Sequence, residues 1–289
     1  MPTMGLIRFL SAATDLELTD KGGADVRELV SRILAETIPQ RPLPLEETAT
    51  ILQSLLNSGT VLPDKQLRHL LSWVAPNRPS HFSHLQLTSL RQFVLFVLAQ
   101  AEETQRASLL RMPVEMQTFV SAVLCNRMPN VRPGIPEATR QFRSQVTEMV
   151  VDDPDVVLGV QLGPGGYLDL KVGNTAWLLD GPEAFLRPFT QPLDYIAQEK
   201  RRLWLLERLL CDEGTRRSVA DFFPGALQWP LLGSVNRLSW QQWEQTTPAA
   251  RPQLLGHVLR SPPGGPIASP SLLPIASGGQ VGRQPTVAE

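Results

Sequence analysis

The sequence predicts an α+β protein: helices first, then a short module mixing sheet and helix. Apolar residues recur at helical spacing from residue 24 to residue 150. From about Val151 the pattern changes to short apolar or alternating runs separated by glycine turns, followed by one long helix and a last strand. A third observation bounds the folded part. From Ser261 onward the chain is rich in Pro, Gly and Ser, and it cannot bury enough apolar surface to fold alone. The expected division is an N-terminal extension over 1–23, a helical repeat-like domain over 24–150, the mixed module over 151–250 and an extended tail over 251–289.

In Ala24–Ile38, Val26, Leu29, Val30, Ile33 and Leu34 share one face, Asp25 can cap the start and Pro39 stops the helix. Glu46–Asn57 follows, with Ile51, Leu52, Leu55 and Leu56 on one face and Gly59 just past the end. Pro63–Val74 carries Leu67, Leu70, Leu71 and Val74, and Thr88–Glu103 carries Leu90, Phe93, Val94, Val97 and Leu98. Further helices are expected near Val114–Arg127 and from Pro136 to Val150. Two helices align as copies at an offset of about 40 residues, the period of a helical-repeat array. Leu45, Ile51 and Leu52 match Leu87, Phe93 and Val94, and Leu55 and Leu56 match Val97 and Leu98. Helix pairs of this kind cannot bury their apolar faces alone and stack on one another.

In the second part, Val156–Leu162, Tyr167–Val172 and Thr175–Asp180 read as strands, separated by Gly163, Gly165, Gly166 and the Gly173-Asn174 turn. A helix is expected over Leu193–Leu210, a strand near Ser234–Leu238 and a terminal helix over Ser239–Thr246.

The formal net charge of the 289-residue chain is -1. A protein that binds nucleic acid strongly on its own is usually basic, because phosphate neutralisation supplies most of the affinity. Near-neutrality fits a component of an assembly that touches nucleic acid with one patch. Cys125 and Cys211 each lie in an apolar helical run and are expected as buried thiols in a reducing compartment. His69, His81, His84 and His257 have no metal-ligand spacing with cysteine, so no metal is expected. No run approaches the roughly 20 apolar residues of a membrane span. The first residues, with Arg8 and no acid before Asp15, are compatible with the remnant of an organellar transit peptide.

The stretch from Tyr167 to Leu186 carries a strand with Asp169, a Gly173-Asn174 hairpin, and a second strand ending Leu179-Asp180-Gly181-Pro182 before Phe185. A basic helix follows with Lys200-Arg201-Arg202-Leu203 and Arg208, then a strand running into Leu238-Ser239-Trp240 and Trp243. These features, in this order, resemble the RAP domain, a nuclease-like module that closes many organellar RNA-binding proteins. The resemblance implies a small restriction-endonuclease-like fold. It implies an RNA contact through Lys200, Arg201, Arg202 and Arg208 at a solvent edge, with the strand-end loop at Asp180, Gly181, Pro182 and Glu183. The basic residues are nearly balanced by Asp194, Glu199, Glu207, Asp212 and Glu213, so a solvated face with ion pairs is the other reading of that helix.

Nucleases of this fold hold a divalent metal with acids on adjacent strands. Asp169 and Asp180 stand at such positions, and Asp169-Leu170-Lys171 forms an acid-x-Lys triplet. Leu178, however, occupies the place where the family often has a further acid, and no lysine follows Asp180. No enzyme activity, cofactor or small-molecule substrate is therefore expected. The segment Asp212–Gly233 is longer than the family's usual link, and its FFPGALQWP stretch is either local core or a partner-binding insertion. The resemblance thus implies a structural component of a divergent mitochondrial ribosome, with RNA (ribosomal RNA above all) and neighbouring ribosomal proteins as partners and no membrane. The plastid is the alternative compartment. An organellar RNA maturation or stability factor and a protein-interaction scaffold are the alternative functions.

Overall fold

The computed structural model describes residues 42–60, 62–100, 110–127, 137–181 and 193–260, with a few isolated positions before them and the backbone alone for 193–200. The helix expected over Ala24–Ile38, the tail from residue 261, and Pro182 and Glu183 lie outside the described residues. The architecture is mixed helix and sheet, with one four-stranded sheet in the order β1-β2-β3-β4.

Helix α1 (Leu45–Ser58) has Glu46 and Glu47 in its first turn, where the helix dipole favours negative charge. It ends at Gly59, which takes the left-handed conformation at φ 67. Helix α2 (Asp64–Val74) buries Leu67, Leu70, Leu71, Trp73 and Val74. Helix α3 (His84–Gln100) is apolar nearly all round, and even Thr88, Ser89 and Arg91 are buried. That pattern marks a central helix: α1 packs on it, as do α4 (Val114–Cys125), α6 (Leu193–Cys211) and α7 (Glu213–Ala220). Arg91 is 2% exposed. Its Nε donates to the Val123 carbonyl at 3.1 Å, and its Nη2 donates to the carbonyl of Asn126, closing the C-terminus of α4. Burial pushes the Arg91 pKa down, though an arginine stays charged at any ordinary pH.

Helix α5 (Glu137–Val150) leads into the sheet. Strands β1 (Val156–Leu158), β2 (Leu170–Val172) and β3 (Thr175–Asp180) form an antiparallel meander. The β2–β3 turn is the two-residue loop Gly173-Asn174, with Gly173 at φ 54, as a tight hairpin requires. Strand β4 (Ser234–Ser239) returns beside β3 in parallel after a crossover through α6 and α7.

All six residues of β3 are buried because both faces of the sheet are covered. Ala176 and Leu178 pack toward α6, where Leu205, Leu206, Leu209 and Leu210 join a core that continues into the helices α1–α4. Trp177 and Leu179 pack the other way, against Phe142, Val146 and Val150 of α5. Helix α5 thus packs on the sheet, and α6 belongs at once to the sheet and to the helical layer.

After β4, Ser239 opens the short helix α8 (Trp240–Gln245) with a capping box: its Oγ accepts from the Gln242 N–H at 3.1 Å, and Gln242 Oε1 accepts from the Ser239 N–H at 3.3 Å. Trp243 is fully buried, and its Nε1 donates to Gln145 Oε1 at 2.9 Å.

Two readings of the sequence are corrected here. The extended tail expected from residue 251 begins instead with helix α9 (Arg251–Arg260), whose Leu255 and Leu259 dock on the α5 side of the sheet. With Gly256 inside and Pro252 at its start, its helical signal was weak. Both cysteines are exposed rather than buried: Cys125 and Cys211 each occupy the last turn of a helix, on the side away from its apolar stripe. In FFPGALQWP, Phe222, Ala226 and Trp229 join the core, while Leu227 stays exposed.

Candidate functional site at the strand ends

The acids and the basic helix singled out in the sequence meet at the end of the sheet where β3 stops. Strand β2 pairs with β3 only as far as Leu170↔Trp177. Two residues further along β3, the Leu179 peptide faces no residue of β2. A buried backbone pair of this kind must find other partners. Asp169 Oδ2 accepts from the Leu179 N–H at 3.0 Å, and Arg143 donates from Nε and Nη2 to the Leu179 carbonyl at 3.3 and 3.2 Å. The two side chains themselves lie 3.7 Å apart as an ion pair. An aspartate and an arginine therefore stand in for the missing strand residue.

A second guanidinium reaches Asp169 from the opposite face. Arg202 Nη2 lies 3.8 Å from Asp169 Oδ2 and donates to the Tyr167 carbonyl at 3.0 Å. Its guanidinium sits 4.6 Å from the Tyr167 ring centre, a cation–π contact. Since Arg143 comes from α5 and Arg202 from α6, Asp169 ties together the two helices that sandwich the sheet. At the end of β3, Asp180 is 6% exposed and paired with Arg237 of β4. Gly181 follows, buried against α5: a Cβ there would stand 1.7 Å from Thr139 Oγ1. Glycine at this point is what lets the chain leave the strand so close to a helix.

This arrangement corrects the solvent edge expected of the basic helix. Arg201 is 8% exposed; its guanidinium lies over the Phe96 ring at 5.3 Å and would be only 2.1 Å from a Cβ at Gly59. It points between α6 and the helical layer because position 201 faces Gly59 at the C-terminus of α1 and the Phe96 ring of α3, which receives the cation. Arg202 is likewise turned inward to Asp169. Asp180 and Gly181 are buried and offer no exposed loop surface. Charge reversal at Arg201 or Arg202 would therefore disturb packing before it reported on any ligand. Pro182 lies outside the described residues, and Lys200 is placed by its backbone alone. Arg208 does keep to the surface, with its side chain 51% exposed and 3.6 Å from Asp212. Arg143 and Arg237 went unnoticed in the sequence. Neither belongs to a motif, and only the strand register shows which carbonyl and carboxylate they meet.

Asp212 caps α7 by accepting from the Gly214 N–H at 2.9 Å and from Thr215 Oγ1 at 3.0 Å. Burial alone would raise this carboxyl. The hydrogen bonds from the Thr215 hydroxyl and the Thr215 and Gly214 N–H groups, with Arg208 nearby, outweigh burial and hold it below its ordinary value of 3.8. A depressed carboxylate contributes stability above its unfolded pKa and loses it as the pH falls through the folded one. Asp212→Ala is accordingly expected to be less stable than the parent at neutral pH, with the gap closing below about pH 4. Parallel thermal melts across pH check this, and a gap that stayed constant with pH would remove the cap as its source.

Among the described residues no group of three His, Cys, Asp or Glu side chains is placed to hold a metal ion, and no helix is long and apolar enough to cross a membrane. No family model, no curated protein and no solved structure matches the chain.

Proposed function

We propose that this chain is an RNA-associated, non-catalytic component of a mitochondrial ribosome, with a RAP-like module over residues 151–250 formed by the four strands, α6, α7 and α8, on which α5 packs. The observation that carries this reading is the state of Asp169 and Asp180. They stand at the strand ends where a nuclease of the resembled fold would hold its metal, and each is taken up by arginine. A carboxylate already neutralised by guanidinium is a structural tie, and displacing that arginine for a cation would leave it buried without a partner. The order of helix, antiparallel meander, helix and parallel strand is in keeping with the nuclease-like fold.

The helical part supports a short repeat array. Helices α1 and α3 lie against each other, and the matched pairs Ile51/Phe93, Leu52/Val94 and Leu56/Leu98 are all buried. The net charge of -1 fits a protein held in place largely by neighbouring proteins. On α6 the RNA contact falls to Arg208 and Lys200, since Arg201 and Arg202 are engaged inside.

The test is gradient sedimentation of organelle lysate, following the protein before and after mild RNase treatment. Stable migration with a ribosomal subunit is expected. A light, RNase-sensitive position would replace this reading with an RNA maturation factor. The other reading is a protein-interaction scaffold, favoured by exposed Leu227 and Leu231 beside the buried Trp229. A light position indifferent to RNase would select it.

A further inference from the structure

The two edges of the sheet differ. Strand β1 is three residues long and is preceded by Asp152-Asp153-Pro154-Asp155, charges and a proline that discourage a further strand. Strand β4 runs for six residues, Ser234–Ser239, without proline, lysine or acid, and its one cation, Arg237, is turned back to Asp180. The register shows which of its peptide groups face out. Val172 and Thr175 close the two-residue hairpin, so Thr175, Trp177 and Leu179 direct their N–H and C=O groups to the β2 side, in agreement with the Leu179 bond to Asp169. Ala176, Leu178 and Asp180 therefore bond across to β4. In parallel register they reach Ser234, Asn236 and Leu238, which leaves the N–H and C=O of Val235 and Arg237 facing outward. Among the described residues none hydrogen-bonds to either of them on that side. Ser239 also faces outward, but its N–H is taken by Gln242 Oε1 at 3.3 Å.

We propose that this edge is where two copies of the chain associate, with β4 pairing antiparallel to the same strand of its twin about a two-fold axis at Asn236. In that register Val235 stands opposite the partner's Arg237, and Arg237 opposite the partner's Val235. Each couple exchanges both of its N–H···O bonds, which satisfies every outward group of the two residues in both copies. The neighbouring register, centred on Arg237, would set arginine against arginine and place Val235 opposite a Ser239 whose N–H is already taken. This self-complementarity selects a second copy over an unrelated strand. With a net charge of -1, two copies repel each other little. The product is one continuous sheet in which each copy's helices cover their own half. The edge is short against the roughly 800 Å² per partner of a stable interface, so association is reversible and rises with concentration. It needs no RNA and stands apart from the RNA-associated reading.

The experiment is sedimentation velocity of the full chain from low to high micromolar concentration, with a monomer–dimer equilibrium expected. Asn236 meets the partner's Asn236 on the axis, so Asn236→Asp sets like charges opposite each other and should weaken the dimer about fivefold. In a Cys125→Ser/Cys211→Ser background, Asn236→Cys should oxidise to a covalent dimer. A non-hydrogen-bonded antiparallel pair brings its Cα atoms to about 4.5 Å, within disulfide reach. Ser234→Cys should stay uncrosslinked, since Ser234 stands opposite the partner's Leu238. A chain that remains monomeric at high micromolar concentration overturns the proposal and leaves the edge to a strand of another protein. That arm stands whether or not the variants fold. A dimer indifferent to Asn236→Asp and not captured by Asn236→Cys associates elsewhere and overturns it as well.

Discussion

Replacing Asp169 with Asn is expected to destabilise the protein by about 3 kcal/mol, the scale for removing one partner of a buried charge pair. The substituted amide can still accept from the Leu179 N–H, so the loss isolates the charge. Arg143 and Arg202 would be left facing each other across the sheet end with their shared counter-ion gone. Urea unfolding of Asp169→Asn, Arg143→Met and the double variant separates the terms. Because the two side chains complete one peptide's hydrogen bonding, their coupling should be about 1–3 kcal/mol. Additive losses would mean that each residue acts alone, and the picture of a substituted strand residue would be abandoned.

Arg91→Met should cost about 2–3 kcal/mol for a different reason. Arg91 has been taken out of water and spends its guanidinium on carbonyls at the C-terminus of α4. Methionine fills much of the same volume and removes a buried cation, which by itself is favourable. It also leaves the buried Val123 carbonyl and the half-buried Asn126 carbonyl without this donor, and an orphaned buried acceptor costs about 1–3 kcal/mol. The loss should be local, so amide exchange at the end of α4 should accelerate more than exchange in β3. An unchanged melting temperature would show that those carbonyls find donors elsewhere.

The helices and strands were largely legible because their signals are local. Gly59 marks the end of α1, Gly173-Asn174 the hairpin, and Ser239 with Gln242 the start of α8; each is a short-range rule that the chain obeys. What could not be read was the direction of the charged residues. Arg201 and Arg202 look alike in sequence, yet one enters the helical layer and the other crosses to Asp169. That difference depends on which element lies on each side of α6, a tertiary fact with no periodicity of its own. Arg143 illustrates the same limit. It sits beside Phe142 on a helix expected to be amphipathic, where a cation reads as solvent-facing until the gap between β2 and β3 is known. Helix α9 was missed because its docking depends on Leu255 and Leu259 alone, too few apolar positions to stand out beside the following Pro-rich segment.

The parallel pairing of β4 with β3 has a consequence for the order in which the molecule assembles. The meander of β1, β2 and β3 closes over short connections, and α1 packs on α3 across a short stretch of chain. Strand β4 must instead return across a stretch reaching from Gly181 to Gly233, with α6 laid along the sheet before it. The entropy of that closure is met before any contact rewards it, so late pairing is the natural outcome. On a chain emerging from its own synthesis, Asp180 would remain without Arg237 until this last strand arrives, and the sheet would carry an open edge at β3 for as long as that takes.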